Sequence, residues 1–285
     1  MTLPIYSRWV RAKGVRTHYS ECGDGSPLIA LHGGGAGSSG KSGLGLVMPM
    51  LGEFARVLAP DSIGGFGQTD PEASVRYGLI SRAQHTGDFI DALCLDKVSI
   101  VGNSQGAWSG VYYAMLHPDR VEKLILVSSL TIAGSMGVKQ APNAAMRALI
   151  GYDGTREGMR GLLDALIIDK RRITDALIDE RQRTVELPGV WDSFRRMAAA
   201  IDFVKSDPVL ARQTEWREAL PVLTRQIPTL IIWGENDPFA LPESGRALAE
   251  LLPAARIEWV QGAGHQVQTD KPERTAEIIR EFLHG

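Results

Sequence analysis

Apolar residues along the chain gather in short, dense runs. LIAL at 28–31, RVLAP at 56–60, VSIVG at 98–102, KLILVSS at 123–129, IPTLIIWG at 227–234 and ARIEWVQG at 255–262 all have strand length. Runs this short, rich in Val, Ile and Leu, read as strands buried on both faces, the pattern of a mostly parallel sheet. Between them the spacing turns helical. Ile80, Ala83, Phe89, Ile90 and Leu93 recur at helical intervals over 79–94, AWSGVYYAMLHP predicts a helix ended by Pro118, and PERTAEIIREFLHG predicts a closing helix. RWVRAKGVRTHYSE reads as an antiparallel hairpin turning at Lys13-Gly14. From about Gly134 to Pro221 there is no strand-type run, and TREGMRGLLDALIID, ITDALIDERQRTVE and WDSFRRMAAAIDFV are helical and charge-rich. The pattern predicts an α/β core in two parts, 1–133 and 222–285, interrupted by a helical cap at 134–221.

Composition narrows the function classes. Lys and Arg total 31 against 33 Asp and Glu, so the chain lacks the positive field that nucleic acid or anionic membranes demand. No apolar stretch approaches the roughly 18 residues of a membrane span, and the first residues hold no apolar segment of signal-peptide length. The expectation is a cytoplasmic protein acting on a small molecule, with no nucleic-acid or membrane partner; a homodimer is left open. Cys22 and Cys94 form no disulfide framework or zinc spacing and read as small, reduced hydrophobes. Glycine is in excess, 31 residues where average usage would supply about 20. Many fall in HGGGAGSSGKSGLG (32–45), DSIGGFG (61–67) and GNSQG (102–106), each directly after a strand-type run. The carboxyl ends of parallel strands are where α/β sheets place ligands.

Gly102-Asn103-Ser104-Gln105-Gly106 is a G-x-S-x-G pentapeptide between a strand and a helix. A nucleophile on so tight a turn needs glycine on either side, because side chains there would strike neighbouring backbone. Serine attacks only when a base takes its proton and an acid orients that base. Asp237 follows the IIWG run and His265 follows WVQG, so the order Ser, Asp, His is satisfied, with Glu235 as a rival acid. The tetrahedral intermediate needs donors for its oxyanion. Gln105, the residue after the nucleophile, supplies one backbone N–H, and the His32-Gly33-Gly34-Gly35 loop offers a second from Gly33 or Gly34. A competing motif is present: Gly35 to Ser42 satisfies G-x-x-x-x-G-K-S, the phosphate-binding loop. The segment directly after it, GLGLVMPML, is a poor helix start, which weighs against a nucleotide site.

With these residues in place the chain resembles the α/β-hydrolase superfamily and, within it, the meta-cleavage product hydrolases. LHGGGAG, DSIGGFGQTD, VGNSQG, PDRVEKLILV, YDGTREGM with ITDALIDER, and GENDPF with GAGH carry the likeness along the whole chain. The resemblance implies an α/β-hydrolase fold with an eight-stranded sheet and cleavage, without cofactor or metal, of a carbon–carbon bond in a 2-hydroxy-6-oxohexa-2,4-dienoate. It implies that Arg181 binds the substrate carboxylate, suited by its paired donors, and that Asn103, Gln266 and Trp191 join the substrate-binding set. Trp191, Phe194 and Met197, at i, i+3 and i+6, have the spacing of a strip lining an apolar pocket for the acyl group and equally that of the cap's own core. Gln266 stands where the family usually has tryptophan, and Gly43 where many members have asparagine. The alternatives are a carboxylesterase or lactonase acting on a small ester, a non-catalytic binding protein of the same fold, and the nucleotide binder.

Overall fold

The computed structural model describes residues 2–285. Eight strands, β1 (Tyr6–Ala12), β2 (Val15–Cys22), β3 (Pro27–Leu31), β4 (Arg56–Pro60), β5 (Val98–Asn103), β6 (Val121–Val127), β7 (Thr229–Gly234) and β8 (Arg256–Val260), form one sheet in the order β1-β2-β4-β3-β5-β6-β7-β8. The first two strands make the antiparallel hairpin at Lys13-Gly14, and from β4 to β8 all pairings are parallel. The unalternated apolar runs are explained by burial on both faces. Ile29, Leu31, Ile100, Leu124 and Ile231 enter one hydrophobic cluster while Leu28, Ala30, Val101, Ile125 and Ile232 enter another across the sheet. Successive side chains of one strand thus feed two cores.

All the chain between β6 and β7 is helical or loop. The expected boundary at 221 falls inside the helix Ala219–Gln226, whose Leu220 and Leu223 join the main core. The amphipathic spacing that marks an exposed insertion helix is the same as that of a helix packed on a sheet, so sequence spacing does not separate the two. The insertion has its own apolar cluster, built around Met159, Leu162, Ile167 and Ile178.

Two further expectations change. The segment after Ser39 does start a helix, Gly40–Leu44, closed by a reciprocal Ser39–Ser42 capping box. Its amino end faces no open phosphate cradle, because the Gly40 N–H already donates to Asp61 Oδ1 at 2.8 Å and a Cβ on Gly40 would lie 2.2 Å from the Ala59 carbonyl. Cys22 is buried, but Cys94 is exposed and has left-handed backbone (φ 52°), so only the former is a core hydrophobe. No helix among the described residues is long and apolar enough to cross a membrane.

Candidate active site

Ser104 sits between β5 and the helix Gln105–Leu116 with φ 56° and ψ −118°, a conformation that costs a non-glycine residue energy and persists only where its surroundings enforce it. Here they do. Ser104 N–H donates to the Val127 carbonyl (2.9 Å), and its own carbonyl accepts from Ser129 Oγ (2.8 Å). A Cβ on Gly102 would lie 2.4 Å from the Ala107 nitrogen, and one on Gly106 2.3 Å from the Leu31 carbonyl. Both glycines of the pentapeptide are therefore steric necessities.

Asp237 and His265 end β7 and β8 on the same edge of the sheet. His265 Nδ1 and Asp237 Oδ2 are 2.9 Å apart, and both residues are buried. The other carboxylate oxygen accepts the Phe239 and Ala240 N–H groups, each at 2.8 Å. That fixes the carboxylate and holds the imidazole with Nε2 free, the tautomer a base requires. Glu235, the rival acid, is exposed. Ser104 Oγ makes no hydrogen bond among the described residues; such contacts often tighten only when substrate is bound.

The histidine loop is held from the helical insertion. The Leu166 carbonyl accepts both His265 N–H (3.0 Å) and Gln266 N–H (3.2 Å), and the Asp270 carboxylate accepts from Gly264, Ile168 and Asp169. Burial pushes the Asp270 carboxyl up from its ordinary value. Asn103 gives both amide hydrogens to backbone, to Val127 O (3.2 Å) and His265 O (3.0 Å). It therefore ties the serine turn to the histidine loop and leaves its Oδ1 facing Gly33.

The oxyanion loop is equally constrained. His32 is fully buried, with Nδ1 on the Gly33 carbonyl (2.7 Å) and Nε2 accepting from Ser62 N–H (3.1 Å). Burial, with Arg82 beside it, holds its pKa well below the ordinary histidine value, so it is neutral. Among the described residues the Gly33 and Gly34 N–H groups have no acceptor, and Gln105, first in its helix, has no intrahelical acceptor for its own. These free donors surround a cavity of about 60 Å³ lined by Ser104, Asn103, His265, Gln266, Thr131 and Phe239 among others. A larger space of about 480 Å³ shares Thr131 and Phe239 with it. The Phe239 ring lies 4.5 Å from the His265 ring.

Of the remaining predicted residues, Gln266 lines the cavity and takes a hydrogen bond from Thr269 Oγ1 (3.2 Å). Trp191 does not line it. That ring stacks on Phe194 and meets Tyr152 edge-on within the insertion's own cluster. Met197 packs against Ile63 and Gly64 instead. Arg181 is not among the residues lining this cavity or the larger space either; it is 1% exposed, and its Nε and Nη1 have no hydrogen-bond partner among the described residues. It lies against the glycine loop, since a Cβ on Gly37 would fall 2.4 Å from its carbonyl. Burial brings its pKa down to about 10; neighbouring Arg183 is exposed.

Sequence reasoning missed Arg82, which is also 1% exposed and donates to the His32 carbonyl and to Gln105 Oε1 (3.4 Å). Its signal was an arginine in step with Phe89 on the apolar face of the helix Leu79–Ala92. It missed Asp61 too, whose carboxylate gathers His18 Nδ1 (2.7 Å), Gly40 N–H and Gln68 N–H.

Known proteins share this fold and much of this sequence. The family model described as the alpha/beta hydrolase fold matches residues 26–272. A 2-hydroxy-6-oxo-6-(2'-aminophenyl)hexa-2,4-dienoic acid hydrolase of Metapseudomonas resinovorans is 34% identical, over 97% of this chain and 90% of its own length. A 2-hydroxymuconate semialdehyde hydrolase of Pseudomonas sp. strain CF600 is 31% identical, over 98% and 94%. The solved structure of a meta-cleavage product hydrolase from Pseudomonas fluorescens IP01, complexed with acetates, superimposes with a TM-score of 0.80 at 31% identity, covering 97% of both chains.

Proposed function

Because the chain belongs to the α/β-hydrolase fold family and, within it, to the meta-cleavage product hydrolases, we propose that it hydrolyses the C5–C6 bond of a 2-hydroxy-6-oxohexa-2,4-dienoate, with Ser104, His265 and Asp237 as its triad. The observation that carries the substrate reading is the buried, unpartnered Arg181 guanidinium. A buried cation without a counter-ion is costly, and a ligand carboxylate would offset that cost with paired hydrogen bonds. Leaving two donors unmet has no use for a neutral substrate.

In this reading His265, held by Asp237, first moves a proton from the 2-hydroxyl of the dienol to C5, so that C2 becomes a ketone, C3=C4 the remaining double bond and C5 a tetrahedral carbon next to the C6 carbonyl. It then takes a proton from Ser104 or from water as that oxygen attacks C6. The negative charge on the C6 oxygen is met by the N–H groups of Gln105 and of Gly33 or Gly34. Breaking C5–C6 sends its electron pair through C3=C4 to the C2 oxygen, which takes up a proton to give 2-hydroxypenta-2,4-dienoate, and C6 leaves as a carboxylic acid whose second oxygen comes from water, directly or by hydrolysis of a Ser104 ester. The helical insertion acts as the cap. A site of about 60 Å³ is too small for a whole dienoate, since ligand sites usually run to hundreds of Å³. The cap, or the Phe239 side chain, therefore moves to join it to the larger neighbouring space. The two free cysteines suit a reducing compartment, and the reading places the enzyme in the cytoplasm.

Loss of the visible absorbance of a yellow aryl dienoate, compared with p-nitrophenyl acetate turnover, tests the proposal. Rapid bleaching, abolished in Ser104→Ala, is expected. Efficient ester turnover without bleaching would instead establish the second reading, a small-ester hydrolase, which the tightness of the cavity at Ser104 favours.

A further inference from the structure

The partners of the buried Arg82 guanidinium are all neutral. One Nη donates to the carbonyl of His32, the other reaches Gln105 Oε1, and the plane lies 5.0 Å from the centre of the Phe66 ring. Nε has no partner. The charge is thus retained without a carboxylate, at a cost that packing alone does not explain.

The identity of the accepted carbonyl supplies the reason. His32 C=O and Gly33 N–H belong to one peptide group. A cation hydrogen-bonded to the oxygen draws electron density through the amide and makes its N–H a stronger donor, as hydrogen-bonded chains polarise one another. The second contact reaches the residue that holds the other free N–H. The Gln105 amide fills the place where a Cβ on Gly34 would lie, 2.0 Å away, so this contact also fixes the two halves of the donor pair relative to each other. We propose that Arg82 is a positioning residue that locks the Gly33–Gln105 donor pair and polarises it for the charge on the C6 oxygen. It touches no substrate. Its effect belongs to the transition state, because only then does the oxygen carry a full charge for a fixed field in a low-dielectric interior to meet.

The inference rests on the serine-hydrolase reading, and the test separates the two. Steady-state dienoate kinetics are measured for wild type, Arg82→Met and Arg82→Lys. Dissociation constants are measured for an aryl boronate, which becomes tetrahedral on Ser104, and for the intact dienoate in a Ser104→Ala background. Arg82→Met is expected to lower kcat about tenfold to a hundredfold, less than loss of a donor outright, with KM within about twofold. Boronate affinity should fall by the same factor while dienoate affinity stays unchanged, and Arg82→Lys, which keeps the charge, should recover part of both losses. Equal weakening of boronate and dienoate, or a kcat within twofold of wild type, would overturn the inference. Should Arg82→Met fail to fold, Arg82→Lys alone decides by the same split between the two ligands. Full turnover by Ser104→Ala would instead reject the underlying reading.

Discussion

Replacing Arg181 by methionine should make the protein more stable and less active at once. The guanidinium is 1% exposed, two of its nitrogens lack partners, and burial brings its pKa from 12.5 to about 10. Keeping it charged at neutral pH therefore costs roughly 3 kcal/mol, at about 1.4 kcal/mol for each tenfold change in proton affinity. Methionine keeps the unbranched stem that packs in the insertion and removes the charge. Exchanges of buried ionic groups for apolar ones of similar volume gain about 1–4 kcal/mol, so a gain of about 1–3 kcal/mol is expected. At roughly 2–4 °C per kcal/mol for a chain somewhat smaller than this one, the unfolding midpoint should rise by about 2–12 °C. Urea unfolding at pH 7 followed by tryptophan fluorescence, beside a thermal scan, measures the gain. Dienoate turnover should fall at least a hundredfold in kcat/KM, while p-nitrophenyl acetate turnover stays within about threefold. In a Ser104→Ala background, saturating dienoate should raise the midpoint, and the added Arg181→Met should abolish that rise. A destabilised Arg181→Met protein that still turns over the dienoate at the wild-type rate would refute the reasoning on both counts.

Other changes have equally definite outcomes. Asp237→Asn keeps an oxygen for the Phe239 and Ala240 N–H groups but sets an NH₂ against His265 Nδ1; kcat should fall by about four orders of magnitude, as when a triad acid loses tautomer control, with little change in melting temperature. Gly34→Ala would drive a Cβ to within 2.0 Å of the Gln105 side-chain oxygen, and since that flexible end can yield, turnover should drop at least tenfold while circular dichroism and melting stay near wild type. His32 and His85 are buried and neutral, their pKa values lowered by burial, that of His85 to about 4. Below pH 6.5 the unfolded chain binds protons that these two refuse, so stability is present above pH 6.5 and lost as pH falls toward 4, by about 1.4 kcal/mol per pH unit for each histidine. Asp270, its carboxyl raised by burial, acts in the opposite sense: the folded chain holds a proton there that the unfolded chain has released, so its contribution to stability grows as pH falls into the carboxylate range. Denaturant titrations at pH 7, 6 and 5 should show the loss and His85→Gln should flatten it; an unchanged slope in that variant would contradict the assignment.

Much of this site is legible in the residues alone. Strands buried on both faces give unbroken apolar runs, and a parallel sheet brings the residues after those runs to one edge. The order and spacing of Ser104, Asp237 and His265 are therefore legible as candidates, with Glu235 left as a rival acid; the contact of Asp237 with His265 and the exposure of Glu235 distinguish the two carboxylates. The supporting contacts were hidden because they are made between segments far apart in the chain. The carbonyl of Leu166 has no signature in sequence, and neither does the pairing of Arg82 with a backbone oxygen fifty residues earlier. Trp191 illustrates the converse limit: an aromatic strip on a helix satisfies the pattern of a pocket and that of a packed core equally well, and here Tyr152 and Phe194 pack around it.

The backbone clamp at Leu166 bears on how such an enzyme can change its diet. The loop carrying His265 takes its position from a carbonyl and two amides of the Leu166–Asp169 segment of the insertion, so in the proposed enzyme the part that would choose the substrate also aims the part that would react. New specificity cannot then arrive by exchanging the insertion wholesale. A transplanted cap must bring its own acceptor to the same point in space, or the imidazole will drift from the serine. Variation should accordingly concentrate on the opposite flank of the insertion, around Val190–Ser206, where side chains can be traded without disturbing the base.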